Sequence, residues 1–220
     1  MKIDSRFLNC LLYHKQYVFT QPLPFKKNVT LTMDSKKYQV KDIPRTWLRK
    51  KMTVHFAWDI DKDGVLSYED GMVIADRIIR SANLRDHAAN NIIQFFRGFQ
   101  YSFHEDLHGF WNKPIIDQVA ECWSAVNTPE YKKAVKTFHA KLFQAMDFNS
   151  DGFINFSEFL HYWKALDLDP SLARLQFDYM DTDHDGKISE KEYVDAALDY
   201  ILNYTDDDTK NRFYGPLLDF

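Results

Sequence analysis

The chain of 220 residues has only two cysteines, Cys10 and Cys122, far apart in sequence. That excludes a disulfide framework and fits the reduced thiols of a cytosolic protein. Methionine is scarce too: there are six, two of them, Met1 and Met33, near the N-terminus. No apolar run approaches the roughly 20 residues a membrane helix needs, so no membrane span is expected. Neither sign of charge dominates. A formal net charge of −4 and a pI near 6.0 offer no surface for nucleic acid. No nucleophile stands with a base in a pattern that argues for an enzyme. What the chain does hold in quantity is aromatic side chains, 18 Phe and 12 Tyr, a wealth better suited to a core than to a cofactor box.

Three stretches share one spacing. From Asp181 the sequence reads D-T-D-H-D-G-K-I-S-E-K-E, with Asp181, Asp183 and Asp185 at the first, third and fifth places. Gly186 is sixth, Lys187 seventh and Glu192 twelfth. Alternate carboxylates converge on one point only if the backbone wraps tightly. Glycine permits the bend, the seventh carbonyl adds an oxygen, and the twelfth carboxylate closes the shell from the following helix. This is the twelve-residue EF-hand calcium loop. An acidic turn also collects Asp and Gly, but has no reason to hold this register. A second copy, D-I-D-K-D-G-V-L-S-Y-E-D, places Asp59, Asp61, Asp63, the Val65 carbonyl and Asp70 likewise. Asp70 is one methylene shorter than the usual glutamate, which predicts a tighter shell, weaker Ca²⁺ binding and more tolerance for Mg²⁺. The remaining copy, D-F-N-S-D-G-F-I-N-F-S-E, offers Asp147, Asn149, Asp151, the Phe153 carbonyl and Glu158.

Helix signals flank these loops. Pro44 opens a pattern carrying Trp47, Leu48, Lys51, Met52, Val54, His55 and Trp58 into Asp59. Thr128 reads as an N-cap with Pro129 behind it, before a stripe of Tyr131, Val135, Phe138, Leu142 and Met146. Between the third and fourth loops lie one exit helix, a short linker at Asp167 to Pro170 and one entering helix. Ile154 and Ile188, each eighth in its loop, are expected to pair as a short antiparallel ribbon.

The gap between Asp70 and Asp147 is long enough for a further hand, and hands fold in pairs because each leaves an apolar face for a partner to cover. Aligning Gly109 to the sixth place puts His104, Asp106 and His108 at the first, third and fifth and Ile115 at the twelfth. An isoleucine cannot close a metal shell, so this hand reads as degenerate. The same gap holds H-E-D-L-H from His104 to His108, formally the zinc-protease pattern. Gly109 and Pro114 leave little helix to carry it, and nothing downstream supplies a further ligand. His55, His87, His139 and His161 read as surface or core-edge residues rather than ligands. Asp206, Asp207 and Asp208 read as a solvated turn.

The first residues differ from the rest. Met1 to Thr32 carries five basic residues and one acid, Asp4, without the apolar core of a secretory signal. Residues 1–43 are therefore expected to be a poorly ordered extension, with an organelle-targeted form left open.

With three intact loops and a spoiled second one, the chain resembles the invertebrate sarcoplasmic calcium-binding proteins. The resemblance runs from Thr46 to the end and includes Trp47-Leu48-Arg49-Lys50-Lys51-Met52, the loop order and the closing Phe213-Tyr214-Gly215-Pro216-Leu217. It implies an all-α fold in which four EF-hands, in pairs at 44–126 and 127–205, form one compact globule. The tail at 206–220 would fold back on an aromatic core. It also implies a cytoplasmic buffer of Ca²⁺ and Mg²⁺ that requires no protein partner. Two other readings stay open: a calexcitin-like sensor that regulates a partner, and a luciferin-binding or photoprotein relative.

Overall fold

The computed structural model describes residues 40–106, 113–204 and 210–219, without the side chains of 99–106. Among them are eight α-helices and one two-stranded ribbon. Helix α1 (Arg45–Trp58) enters the first loop and α2 (Tyr68–Ser81) leaves it. Helices α3 (Asp86–Asp106) and α4 (Ile115–Ala125) follow. Helix α5 (Pro129–Met146), strand β1 (Phe153–Asn155) and α6 (Phe156–Ala165) form the next helix–loop–helix unit. Helix α7 (Ala173–Met180), β2 (Lys187–Ser189) and α8 (Glu190–Leu202) form the last. The fold is mostly helical, as expected.

The local signals act as their chemistry requires. The Thr128 hydroxyl accepts from the Tyr131 amide at 3.2 Å, capping α5, and Pro129 occupies the first turn, where its missing N–H costs nothing. Each exit helix of the three intact loops starts with a capping box, the ninth loop residue (Ser67, Asn155 or Ser189) accepting from the twelfth amide while the twelfth carboxylate accepts from the ninth. β1 and β2 pair antiparallel with Ile154 opposite Ile188, the expected register. Both isoleucines are fully buried, and that burial fixes the register.

The larger of two apolar clusters among the described residues draws on helices from α1 to α8. Trp58, Ile74, Ile78 and Phe96 pack with Leu142, Phe159, Trp163, Phe177, Tyr193 and Tyr200. Polar braces cross the same seam. The Trp47 indole donates to the Ile201 carbonyl at 3.0 Å and the Lys50 ammonium to the Asn203 carbonyl at 2.6 Å, so α1 caps the end of α8. Arg77 on α2 donates to the Ala165 carbonyl at the end of α6. The tail closes the molecule: Phe213 and Tyr214 are buried, and Leu218 is held between the Arg49 guanidinium and the Thr53 hydroxyl.

The gap departs from its sequence alignment. Helix α3 continues through Asp106, so His104 and Asp106 are helical rather than the first and third residues of a loop. Helix α4 begins at Ile115 with Pro114 before it, as Tyr68, Phe156 and Glu190 begin the other exit helices at the tenth place. Ile115 thus stands tenth and Asp117 twelfth. With little glycine or acid in the gap, Gly109 is a weak anchor for the count. The Ile115 amide donates to the Gly64 carbonyl at 3.2 Å, tying this segment to the first loop. The zinc-protease pattern extends into 107–112, outside the described residues, as do residues 1–39 and the acids at 206–208.

Candidate metal centres

The three loops share one backbone. The sixth residues Gly64, Gly152 and Gly186 take φ of +87°, +87° and +84°, which only glycine adopts freely. The fourth residues Lys62, Ser150 and His184 are also left-handed, at φ of 60°, 58° and 61°. These turns bring amides inward, and they hold the acids. Gly64 donates to Asp59 at 3.0 Å, Gly152 to Asp147 at 2.8 Å and Gly186 to Asp181 at 3.0 Å. The seventh amide pins the fifth carboxylate in turn: Val65 to Asp63, Phe153 to Asp151 and Lys187 to Asp185, at 2.8–2.9 Å.

The result is convergence. Carboxylate oxygens of Asp59, Asp61 and Asp63 lie within 4.8 Å of one another, as do those of Asp181, Asp183 and Asp185. In the third loop the middle place is an amide: Asn149 Oδ1 accepts from the Asp151 amide at 3.0 Å, and its Nδ2 donates to Asp151 Oδ2 at 3.2 Å. The first acid of each loop, Asp59, Asp147 or Asp181, is buried while the third and fifth face water.

The twelfth carboxylates reach back across each loop. Glu158 accepts from the amides of Phe148 and Asn155, and Glu192 from the amides and hydroxyls of Thr182 and Ser189, all between 2.7 and 3.0 Å. Asp70 spans the equivalent amides, Ile60 and Ser67, at 2.8 Å despite its shorter arm. The shorter aspartate thus reaches the same pair of amides that glutamate spans in the other two loops.

Electrostatics separate these groups. Desolvation acts to raise Glu192, but its donors from Ser189 and Thr182 outweigh that and hold it at about 2. Burial pushes Glu158 up despite its amide donors, with the Asp147 charge adding to the rise. Asp59 is raised by burial first and then by the charges of Asp70 and Asp63. Carboxylates crowded this way favour a cation that neutralises them.

The other named histidines behave unevenly. His55 and His139 are buried outright rather than at an edge, and burial lowers their pKa to about 3 and about 4. Sequence reasoning also missed the Lys187 side chain, whose ammonium lies 3.6 Å from Asp151 Oδ2 in the neighbouring loop.

Comparison with known proteins agrees with this geometry. A profile described as an EF-hand domain pair matches residues 136–198, the span from within α5 into α8. The sarcoplasmic calcium-binding protein of Perinereis vancaurica tetradentata is 28% identical over 173 residues, covering 78% of this chain and 98% of the relative. That of Hediste diversicolor is 29% identical over 173 residues with the same coverage. Among solved structures, the coelenterazine-binding protein from Renilla muelleri in its Ca-loaded apo form is similar, with a TM-score of 0.64 and 25% identity over 78% of this chain and 96% of that one. Both curated relatives are calcium-binding proteins by name, and no described helix is long and apolar enough to cross a membrane. Residues 136–198 thus match an EF-hand domain pair, and the chain as a whole resembles the sarcoplasmic calcium-binding proteins.

Proposed function

We propose that the chain is a cytoplasmic Ca²⁺/Mg²⁺ buffer with three working sites and no catalytic role. The first site takes Asp59, Asp61, Asp63, the Val65 carbonyl and Asp70. The second takes Asp147, Asn149, Asp151, the Phe153 carbonyl and Glu158. The third takes Asp181, Asp183, Asp185, the Lys187 carbonyl and Glu192. Each set is all oxygen, the chemistry of a hard cation with six to eight ligands. The segment before α4 is left as scaffold. In the register set by Ile115, its sixth residue is Trp111, which cannot take the left-handed bend freely, and its fifth is Phe110. In this reading 44–126 and 127–205 are the two pairs.

One observation favours buffer over sensor: the methionines. A sensor exposes a Met-rich groove on binding calcium. Here Met72, Met146 and Met180 are buried and Met52 is half-buried. A calorimetric calcium titration with and without magnesium, followed by a hydrophobic dye, tests this. Three sites with strong Mg²⁺ competition and little dye response are expected. Calcium-dependent dye binding would instead support a calexcitin-like sensor.

A luciferin-binding relative is the second reading, favoured by one feature of the core. Among the described residues the buried Tyr193 hydroxyl has no hydrogen-bond partner, and it lies beside the rings of His139 and Phe213. A chromophore in native protein, seen by absorbance and mass spectrometry, would support it; a colourless, ligand-free preparation would remove it.

A further inference from the structure

The β1–β2 ribbon carries a charge from one loop to the other. Ile154 and Ile188 point into the core, so the alternate residues Phe153, Asn155, Lys187 and Ser189 must share the opposite face. Lys187 pairs directly with Asn155. From there its stem crosses diagonally, with the ammonium 4.9 Å from the Phe153 ring centroid and 3.6 Å from Asp151 Oδ2. Asp151 is the fifth residue of the third loop. No counterpart exists in the other direction, because the seventh residue of the third loop is Phe153 and that of the first is Val65. The third loop is also the poorer in acid, since Asn149 stands where the others have aspartate.

We propose that Lys187 sets the order in which the two C-terminal loops fill, holding back the loop at Asp147–Glu158 so that the loop at Asp181–Glu192 fills first. The proposal rests on reading both loops as calcium sites. In that reading Lys187 meets both ions: its carbonyl faces the ion of its own loop and its ammonium stands where the neighbouring ion is to be held. A divalent cation arriving at Asp151 breaks the ion pair and then faces a positive charge beside it. Both effects weaken binding at the third loop, and neither touches Asp181, Asp183 or Asp185. The pair is half exposed, at 45% for Lys187 and 40% for Asp151, so solvent screens it and the effect is modest.

The test is a calcium titration of the full chain followed by the amide resonances of Gly152 and Gly186, which donate to the first acids of the two loops. In the native chain the Gly186 signal should move at lower calcium than that of Gly152. Lys187→Met should lower the Gly152 midpoint by about two- to fivefold and leave Gly186 nearly in place. Lys187→Glu should move it further. Lys133→Met removes an equal charge from an exposed site on α5 and should shift neither. An unchanged Gly152 midpoint in Lys187→Met, or an equal shift in Lys133→Met, overturns the inference while leaving the calcium sites intact. Silence of both resonances overturns the calcium-site reading and this inference with it.

Discussion

The Tyr214 hydroxyl, in the C-terminal tail, donates to Nε2 of His139 on α5 at 2.9 Å, while the other ring nitrogen donates to the Val135 carbonyl at 2.8 Å. The two bonds fix one neutral tautomer inside a ring of Phe138, Tyr193 and Phe213. Burial, aided by the Lys51 charge and opposed by the Val135 bond, lowers this histidine to about 4 from an ordinary 6.5. Because the folded pKa lies below the unfolded one, the unfolded chain binds the proton more readily. Stability is complete above pH 6.5 and is lost as pH falls toward 4, by about 3 kcal/mol in total. His139→Gln should flatten that part of the pH dependence, read by urea melts of the calcium-free protein at pH 7 and pH 4.5. An identical slope in both proteins would show that His139 does not carry it. His55, also lowered by burial, contributes a similar term that the substitution leaves in place.

The loops were legible because their information is local. Spacing places Asp181, Asp183 and Asp185 on one arc, the sixth glycine allows the bend, and the capping box at Ser189 and Glu192 follows from neighbouring residues alone. The Ile154–Ile188 pairing is legible for the same reason, since each isoleucine is eighth in its loop. The gap is not. Its residues carry no glycine and acid pattern to anchor a count, and what the structure adds is the start of α4 at Ile115. Contacts made across the fold left no trace in spacing. Lys187 reaches Asp151 because the ribbon turns that face toward the other loop, and His139 is core because the tail closes over it.

Chelation should lower the melting temperature. Eleven carboxylates, Asp59, Asp61, Asp63, Asp70, Asp147, Asp151, Glu158, Asp181, Asp183, Asp185 and Glu192, crowd into the three loops. Without metal they repel one another, and a ligand that binds only the folded state stabilises it by mass action. Each site held at about a hundredfold its Kd contributes about 2.7 kcal/mol. Scanning calorimetry in EDTA and in excess Ca²⁺ reads the difference. Equal melting temperatures would mean that the loops do not bind calcium in the folded protein.

Lys50→Met should destabilise the whole molecule rather than one hand. The side chain is 1% exposed, donates to the Asn203 carbonyl at the end of α8 and lies 5.5 Å from the Tyr200 ring centroid. Removing the ammonium strips a charge-assisted bond from a buried helix terminus, at a cost of about 2 kcal/mol. Because α1 and α8 are the first and last α-helices among the described residues, circular dichroism and tryptophan fluorescence should report one urea transition at a lower midpoint. Two separated transitions would show that the halves fold independently and that this brace does not join them.

Asp70→Glu should convert the first loop toward the behaviour of the other two. Asp70 already accepts from Ile60 and Ser67, the amides that glutamate spans in its neighbours, and does so with one methylene less. The added reach relaxes the loop and lets both carboxylate oxygens approach one ion. Ca²⁺ with its longer bonds and higher coordination number gains from that, whereas Mg²⁺ needs a tight octahedron and does not. Calcium affinity at this site should rise by on the order of tenfold while magnesium competition weakens. Paired calorimetric titrations in the presence and absence of excess Mg²⁺ measure both quantities. If magnesium suppresses calcium binding equally in the native and substituted proteins, the length of the twelfth side chain does not set the selectivity of the first loop.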